Sequence, residues 1–393
     1  MSEYRASAGI ERLRERAERL GLPMSVLFQL TDKCNYRCAH CYEVHEDRNE
    51  LRLDEIQRIL GELAQAGVLF LTLTGGEPFM RRDIDDILVS ARQHRFAVRL
   101  YTTGHFIDDA RADRLAELAI QEVHLSLYGG DAASHEAITL MPGSFERTVA
   151  AARRLRKRGL GVIIKSPVMT VNVRRYRELI DLIEGLGCTY SLDPKVTPRE
   201  DGDRSPLHLR PSDTDLAEFY STFRDLEAAT QWREQALAPA ANLDGSSCSI
   251  GQSSVSINPQ GKVFGCVALP IPVGDLREQS FASVWKESAK LQELRSIRWR
   301  DIPICRDCTV RPFCSRCHAT ALLEDGKLLG PSLEACRHAV ATREGLRLRG
   351  KIGPDELTEL PVPLREGAQN EAPVKQRPVL AYGFRSAALR IID

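Results

Sequence analysis

No stretch of this 393-residue chain approaches 18 consecutive apolar residues, so a membrane-spanning helix is not expected. The N-terminus is just as poor in apolar residues. Ser2, Glu3, Arg5, Glu11 and Arg12 leave no hydrophobic segment of the kind that directs export. Net charge is also absent. Lys and Arg number 54, as do Asp and Glu, which leaves no field to recruit nucleic acid or an anionic membrane. Even the basic run Arg153-Arg154-Leu155-Arg156-Lys157-Arg158 reads as a solvated helix face. What the chain does have is cysteine. Eleven of them without an export signal argue for metal ligation in a reducing, cytoplasmic compartment rather than disulfides. At 43% hydrophobic the chain can bury a full core, and its length suggests two or three domains.

Residues 1–23 read as a charged amphipathic helix that stops at Gly21-Leu22-Pro23. A regular alternation then begins. Apolar runs at 25–30, 68–74, 97–101, 122–128, 161–168 and 189–192 read as buried strands. Helical periodicity occupies 54–66, 83–94, 109–119, 145–158 and 174–186. In the first of these segments Ile56, Ile59, Leu60 and Leu63 share one face, and in the fourth Phe145, Val149, Ala152 and Leu155 do. Strands alternating with helices imply an α/β fold with parallel pairing and right-handed crossovers. Periodicity leaves both an open sheet and a partial barrel standing. In either, ligand groups belong at the C-terminal ends of the strands.

Three cysteines, Cys34, Cys38 and Cys41, follow the first apolar run at the spacing CxxxCxxC. Thiolates select zinc, copper(I) or iron–sulfur clusters. Three ligands in so short a loop can cap three corners of a cube and leave the fourth iron free. Structural zinc wants four ligands, and on this alternative His40 or His45 would complete the set. The second apolar run ends in Gly75-Gly76-Glu77-Pro78. Two glycines let a backbone approach a ligand closely, and Glu77 adds a charge-assisted acceptor.

Together these two motifs resemble the radical S-adenosylmethionine (radical SAM) superfamily. The resemblance implies a partial (β/α)6 barrel over about residues 24–205. It also implies that Cys34, Cys38 and Cys41 hold a 4Fe–4S cluster whose open iron is chelated by S-adenosylmethionine. By the same match His40 lies against the adenine, and Gly75, Gly76, Glu77 and Pro78 meet the methionine ammonium. Thr103 and Ser126, at two strand ends, contact the ribose or the methionine carboxylate; the plainer alternative for each is a hydroxyl satisfying a nearby turn. Lys165 and Asp193 also sit at strand ends, as functional charges or as ordinary surface residues.

Residues 206–243 read as a helical linker with a helix around 212–229. Beyond it Cys248 precedes a β-hairpin turning at Asn258-Pro259-Gln260-Gly261, whose second strand leads to Cys266. Cys305-x2-Cys308-x5-Cys314-x2-Cys317 and Cys336 follow. This array, over 244–345, resembles the SPASM extension of radical SAM enzymes that modify peptides and proteins. The match implies two auxiliary iron–sulfur clusters, one on Cys305, Cys308, Cys314 and Cys336, the other on Cys248, Cys266 and Cys317. The sequence departs from the pattern twice: two residues rather than three separate Cys314 from Cys317, and no cysteine lies between Cys248 and Cys266. The inner cluster is therefore one ligand short, with Cys188, His318 or an open site as the options, and the open site is preferred. A zinc knuckle built from Cys305, Cys308, Cys314 and Cys317 is the alternative for this region. Cys188 itself reads as a small buried residue. Residues 346–393 form a tail without a legible role.

The resemblance implies an enzyme in which a 5′-deoxyadenosyl radical takes hydrogen from a ribosomally made peptide, leading to a carbon–carbon or thioether crosslink. The auxiliary clusters would serve electron transfer, and a flavodoxin or ferredoxin would supply the electron. Sulfatase maturation fits less well, because Val267 rather than an acidic residue follows Cys266. Tetrapyrrole side-chain oxidation is the second enzymatic reading, and an iron–sulfur electron carrier or scaffold is the reading of another class. The residues before the first strand are too few for an independent leader-binding fold, so a peptide would be recognised by the barrel mouth, by the tail, or by a separate leader-peptide recognition protein.

Overall fold

The computed structural model describes residues 8–44, 49–223, 243–353, 361 and 364. After helix α1 (Ala8–Leu20), strands β1 (Ser25–Gln29), β2 (Phe70–Thr74), β3 (Ala97–Thr102), β4 (Glu122–Ser126), β5 (Gly161–Pro167) and β6 (Thr189–Asp193) appear in turn. Helices α2 (Leu53–Gln65), α3 (Ile84–Gln93), α4 (Asp109–Glu117), α6 (Ser144–Lys157) and α7 (Tyr176–Gly185) fill the crossovers. The apolar runs and helical periodicities of the sequence fall on these elements within about two residues. Helix α5 (Ala132–Thr139) was not foreseen. Helix α8 (Asp213–Phe223) is the start of the expected linker helix, whose remainder lies outside the described residues.

The six strands pair in parallel and in sequence order, as expected of a partial (β/α)6 barrel. Val26, Phe28, Leu71, Leu73, Val98, Leu100, Val123 and Leu125 alternate along the strands and are buried against Ile56, Ile59, Leu60, Leu63, Ile87 and Leu115 of the covering helices. Burial of this many branched and aromatic side chains is the main term holding the sheet. Their neighbours on the other face are polar and only partly buried: Gln29, Thr72, Arg99, Tyr101, Glu122, Ser126 and Lys165.

The barrel does not close on itself. The free edge of β1 is taken by β7 (Ser254–Ile257), which runs parallel to it with Val26 opposite Val255. β8 (Lys262–Phe264) and β9 (Pro272–Asp275) then continue as an antiparallel extension, giving the order β6-β5-β4-β3-β2-β1-β7-β8-β9. The hairpin expected from the Asn-Pro-x-Gly turn is therefore part of the barrel's own sheet. Gly261 in that turn has φ +85°, and the turn's tip reaches the first cysteine loop, where Gln260 Nε2 donates to Asp32 Oδ2 at 2.6 Å. The helix Leu333–Leu348, which carries Cys336, lies against α8. It is fixed by a buried network in which Arg210 pairs with Glu324 at 2.6 Å and with Glu334 at 3.3 Å. His338 Nε2 meets Glu334 at 3.0 Å, and its Nδ1 meets the Tyr220 hydroxyl at 2.7 Å. Among the described residues no helix is long and apolar enough to cross a membrane.

The loops after β1 and β2 are zipped together beyond the ends of their strands. Leu30 N donates to Thr74 O at 2.7 Å, Gly76 N to Thr31 O at 2.8 Å, and Glu77 N to Lys33 O at 2.7 Å. Neither glycine has room for a side chain. A Cβ on Gly75 (φ +137°) would collide with the Thr31 carbonyl, and one on Gly76 with the Lys33 carbonyl. Gly76→Ala should therefore push the two loops apart and reduce iron retained after reconstitution, read by a colorimetric iron assay; full iron content would show that the loops give way cheaply. Phe28→Ala, on the strand between the two halves, should cost about 3–5 kcal/mol. It should lower the urea midpoint equally by far-ultraviolet circular dichroism and by tryptophan fluorescence, which reports the cysteine-rich half through Trp285 and Trp299.

Candidate functional site

Cys34, Cys38 and Cys41 lie on one loop directly beyond β1, and each thiol is partly buried. The loop is shaped by backbone bonds rather than by regular structure. Cys41 N donates to Cys38 O at 3.0 Å, and Ala39 N donates to Ile138 O at 2.8 Å on α5. Arg37 Nη1 donates to the carbonyl of Cys34 at 2.9 Å. Burial pushes the Cys34 thiol up to about 11 and the Cys41 thiol up to about 12, with neighbouring carboxylates adding to the rise. A metal entering here must displace those protons, because the ligand is the thiolate.

Glu77 is fully buried and faces the end of β3, not open space. Its carboxylate accepts from Thr102 Oγ1 at 2.8 Å, from Thr103 N at 2.8 Å, from Thr103 Oγ1 at 2.7 Å and from Phe79 N at 3.2 Å. Burial raises its pKa and these donors oppose the rise. The sequence marked Glu77 as an acceptor for a ligand ammonium and Thr103 as a ribose or carboxylate contact. The fold joins these two residues to each other, and Thr102 shares the carboxylate with them. The two glycines likewise approach backbone closely, but the backbone is that of the cysteine loop. Pro78 is buried at the start of a single 3-10 turn that Glu77 caps.

Ser126 ends β4 on the polar face. Ser126 and Cys38 are both electrostatic neighbours of the Tyr128 phenol. Tyr128 is the residue that sequence reasoning passed over. It is buried, stacks on His135 with centroids 5.4 Å apart, and meets His40 edge-on at 4.7 Å. Its N–H donates to His135 Nδ1 at 3.1 Å, which places the imidazole proton on Nε2. An aromatic residue at a strand end was the available signal; His135 had none, because α5 was missed. Glu43, two residues past Cys41, was also passed over. It accepts from Gln29 Nε2 at 2.8 Å, and burial with Glu200 nearby raises its pKa to about 7.

Two groups beside the cysteines are left without protein partners. Both ends of the Asn35 amide and Nδ1 of His40 are buried and unbonded. Buried polar atoms are normally satisfied, so these suit a bound polar cofactor lying against the loop. Burial also lowers His40 to about 4 and keeps its ring neutral, as contact with an adenine would ask. His45 lies outside the described residues.

The seven cysteines of the C-terminal half form two sets. Cys305, Cys308, Cys314 and Cys336 are mutual electrostatic neighbours. Cys248, Cys266 and Cys317 form the second set. Cys317 is thus grouped with Cys248 and Cys266 rather than with Cys305, Cys308 and Cys314, which speaks against the zinc knuckle weighed from spacing. Among the described residues no three His, Cys, Asp or Glu side chains stand close enough to share one metal ion, and multi-iron clusters, which hold their thiolates wider apart than one tetrahedral ion does, suit both sets. Cys188 lies elsewhere, buried in the main core with its thiol 3.7 Å from the Leu186 carbonyl. His318 stands beside the three-cysteine set, but both of its ring nitrogens are engaged. Nδ1 faces Arg316 at 2.6 Å, and Nε2 faces Ser247 Oγ at 3.2 Å.

Residues 28–183 match the family model described as the radical SAM superfamily, and residues 248–309 match that of SPASM, an iron–sulfur cluster-binding domain. Similar proteins include the PqqA peptide cyclase of Granulibacter bethesdensis, 27% identical over 85% of this chain and 93% of that protein. The AdoMet-dependent heme synthase of Methanosarcina barkeri is 26% identical over 78% of this chain and 94% of its own length. Among solved structures, Streptococcus suis SuiB bound to the precursor peptide SuiA shares the fold with a TM-score of 0.62 at 17% identity, covering 86% of this chain and 84% of that one. The chain carries a radical SAM domain and a SPASM iron–sulfur domain, so that S-adenosylmethionine and iron–sulfur clusters are its cofactors.

Proposed function

We propose that this enzyme modifies a ribosomally made peptide, forming a carbon–carbon or thioether bond. The observation that carries the reading is the near-full-length similarity to a peptide cyclase, across barrel and SPASM domain together. The cofactors, when bound, supply a 5′-deoxyadenosyl radical that takes a hydrogen atom from the substrate. The chain's part is to place and shield the reacting groups. Cys34, Cys38 and Cys41 hold the first cluster, and His40 and Asn35 line the cofactor beside it. Ser126 and Tyr128 close the side toward β4. Glu77, Thr102 and Thr103 hold the two loops in register and make no direct contact of their own. The seven later cysteines hold the auxiliary clusters. The three-cysteine set keeps one open position, because Cys188 is committed to the core and His318 to its hydrogen bonds.

The polar face of the sheet receives the peptide. Lys165 stands there over the Tyr101 ring, its Nζ 3.0 Å from the phenol oxygen. Arg99 is matched by Glu122 at 3.2 Å. Haem-type oxidation is the second reading, favoured by the similarity to a heme synthase. A cytoplasmic flavodoxin or ferredoxin as reductant, and a separate leader-peptide recognition protein, complete the proposal.

Reconstituted protein should hold about twelve irons, three four-iron clusters. Replacing Cys34, Cys38 and Cys41 together by Ala should remove about a third of them and abolish 5′-deoxyadenosine formation with S-adenosylmethionine and dithionite. Continued cleavage in that variant would refute the ligand set. Offered candidate precursor peptides or a porphyrin precursor, the parent should shift only a peptide's mass, by loss of two hydrogens; an oxidised porphyrin instead would reverse the two readings. Cys188→Ala should leave the iron count unchanged, and loss of about four irons would identify it as the missing ligand.

A further inference from the structure

Between the two sets of later cysteines lies one buried cation. Arg316 is 3% exposed, and its guanidinium is fully engaged. Nε donates to Gly330 O at 3.1 Å, Nη2 donates to the carbonyls of Leu328 and Gly330, and Nη1 points at His318 Nδ1 at 2.6 Å. Cys305, Cys314 and Cys317 are its electrostatic neighbours, and thiolates at those positions favour the cation. Two of these belong to the four-cysteine set and one to the three-cysteine set. Among the described residues no carboxylate pairs with it. A cation buried without an anion is costly, and neutral thiols offer little relief. Thiolates bound to iron would.

The contact with His318 extends the arrangement. A guanidinium only donates, so its 2.6 Å contact favours the lone pair on His318 Nδ1 over the longer 3.3 Å contact of Nδ1 with the Leu328 carbonyl, and puts the proton on Nε2. That proton is directed to Ser247 Oγ, 3.2 Å away, and Ser247 is bonded in the chain to Cys248. Hydrogen bonds thus run from Arg316 through His318 to Ser247, the chain neighbour of Cys248.

We propose that Arg316 is the shared counter-charge of the two auxiliary clusters, setting both reduction potentials from one position. The inference rests on the assignment of the seven cysteines to iron–sulfur clusters. Each one-electron reduction by dithionite adds one negative charge to a cluster. A fixed cation beside its sulfurs stabilises the reduced form and raises the potential.

The test is an EPR-monitored dithionite titration of reconstituted protein in the Cys34/Cys38/Cys41→Ala background, where only the auxiliary clusters report. Arg316→Gln, with about eight irons retained, should move their midpoint potentials to more negative values, and Arg316→Lys should stay near the parent. Unchanged midpoints in an iron-replete Arg316→Gln protein would overturn the proposal. Should Gln cost the auxiliary iron, the Lys variant decides. Retained iron with parental midpoints supports the counter-charge, whereas loss of iron with Lys as well assigns Arg316 to packing and overturns it. A background protein that holds no iron at all refutes the cluster assignment itself, and the inference with it.

Discussion

A single buried carboxylate holds the cofactor end of the barrel in shape. Glu77 takes donors from the end of β3 and from its own turn, while its backbone N–H bonds to the loop that carries the cysteines. Three consecutive β-strand ends are thereby fixed to one another. An ionised group is tolerated at full burial only with several donors, and here Thr102, Thr103 and Phe79 supply them. The Gly75-Gly76 contact has no slack either, because carbonyl oxygens fill the space where side chains would go. The position of the cysteine loop follows from these two constraints far more than from the loop's own sequence.

The same rigidity extends to the second half of the molecule. β7 adds to β1 in register, and the hairpin tip touches Asp32 at the base of the cysteine loop. The distance from the first three cysteines to the later seven is thus set by a continuous sheet. On the far side, Arg210, Glu324, Glu334, His338 and Tyr220 lock the helix of Cys336 against α8. Buried ion networks of this kind add little net stability but disfavour alternative packings. For a chain that must hold redox centres at fixed separations, that specificity is the useful property.

Much of the fold was legible because buried parallel strands are nearly continuous apolar runs. All six of them could be read in this way, and the five longer helices between them by their apolar periodicity. Helix α5 could not. Its buried positions include His135 and Thr139, so it shows no apolar stripe. The union of the hairpin with the barrel was hidden for another reason: β1 and β7 lie more than 200 residues apart, and no local pattern reports such a pairing. At the site, residue types were legible while their partners within the fold were not. Glu77 is a charge-assisted acceptor as expected, but its donors are threonines of this chain. A sequence shows what a side chain can bond; only the fold shows what it does bond.

That distinction also separates positioning groups from binding groups around the first three cysteines. Glu77, Thr102 and Thr103 satisfy one another completely, so a ligand could recruit them only by breaking buried bonds. Asn35 and His40 stand in the opposite condition, buried and unbonded. An unsatisfied buried polar group costs about 1–3 kcal/mol, a penalty that a bound cofactor can remove at no expense to other contacts. Binding at this site therefore draws on the polar atoms that the fold leaves unpaired. The paired ones serve as the frame that keeps those atoms in place.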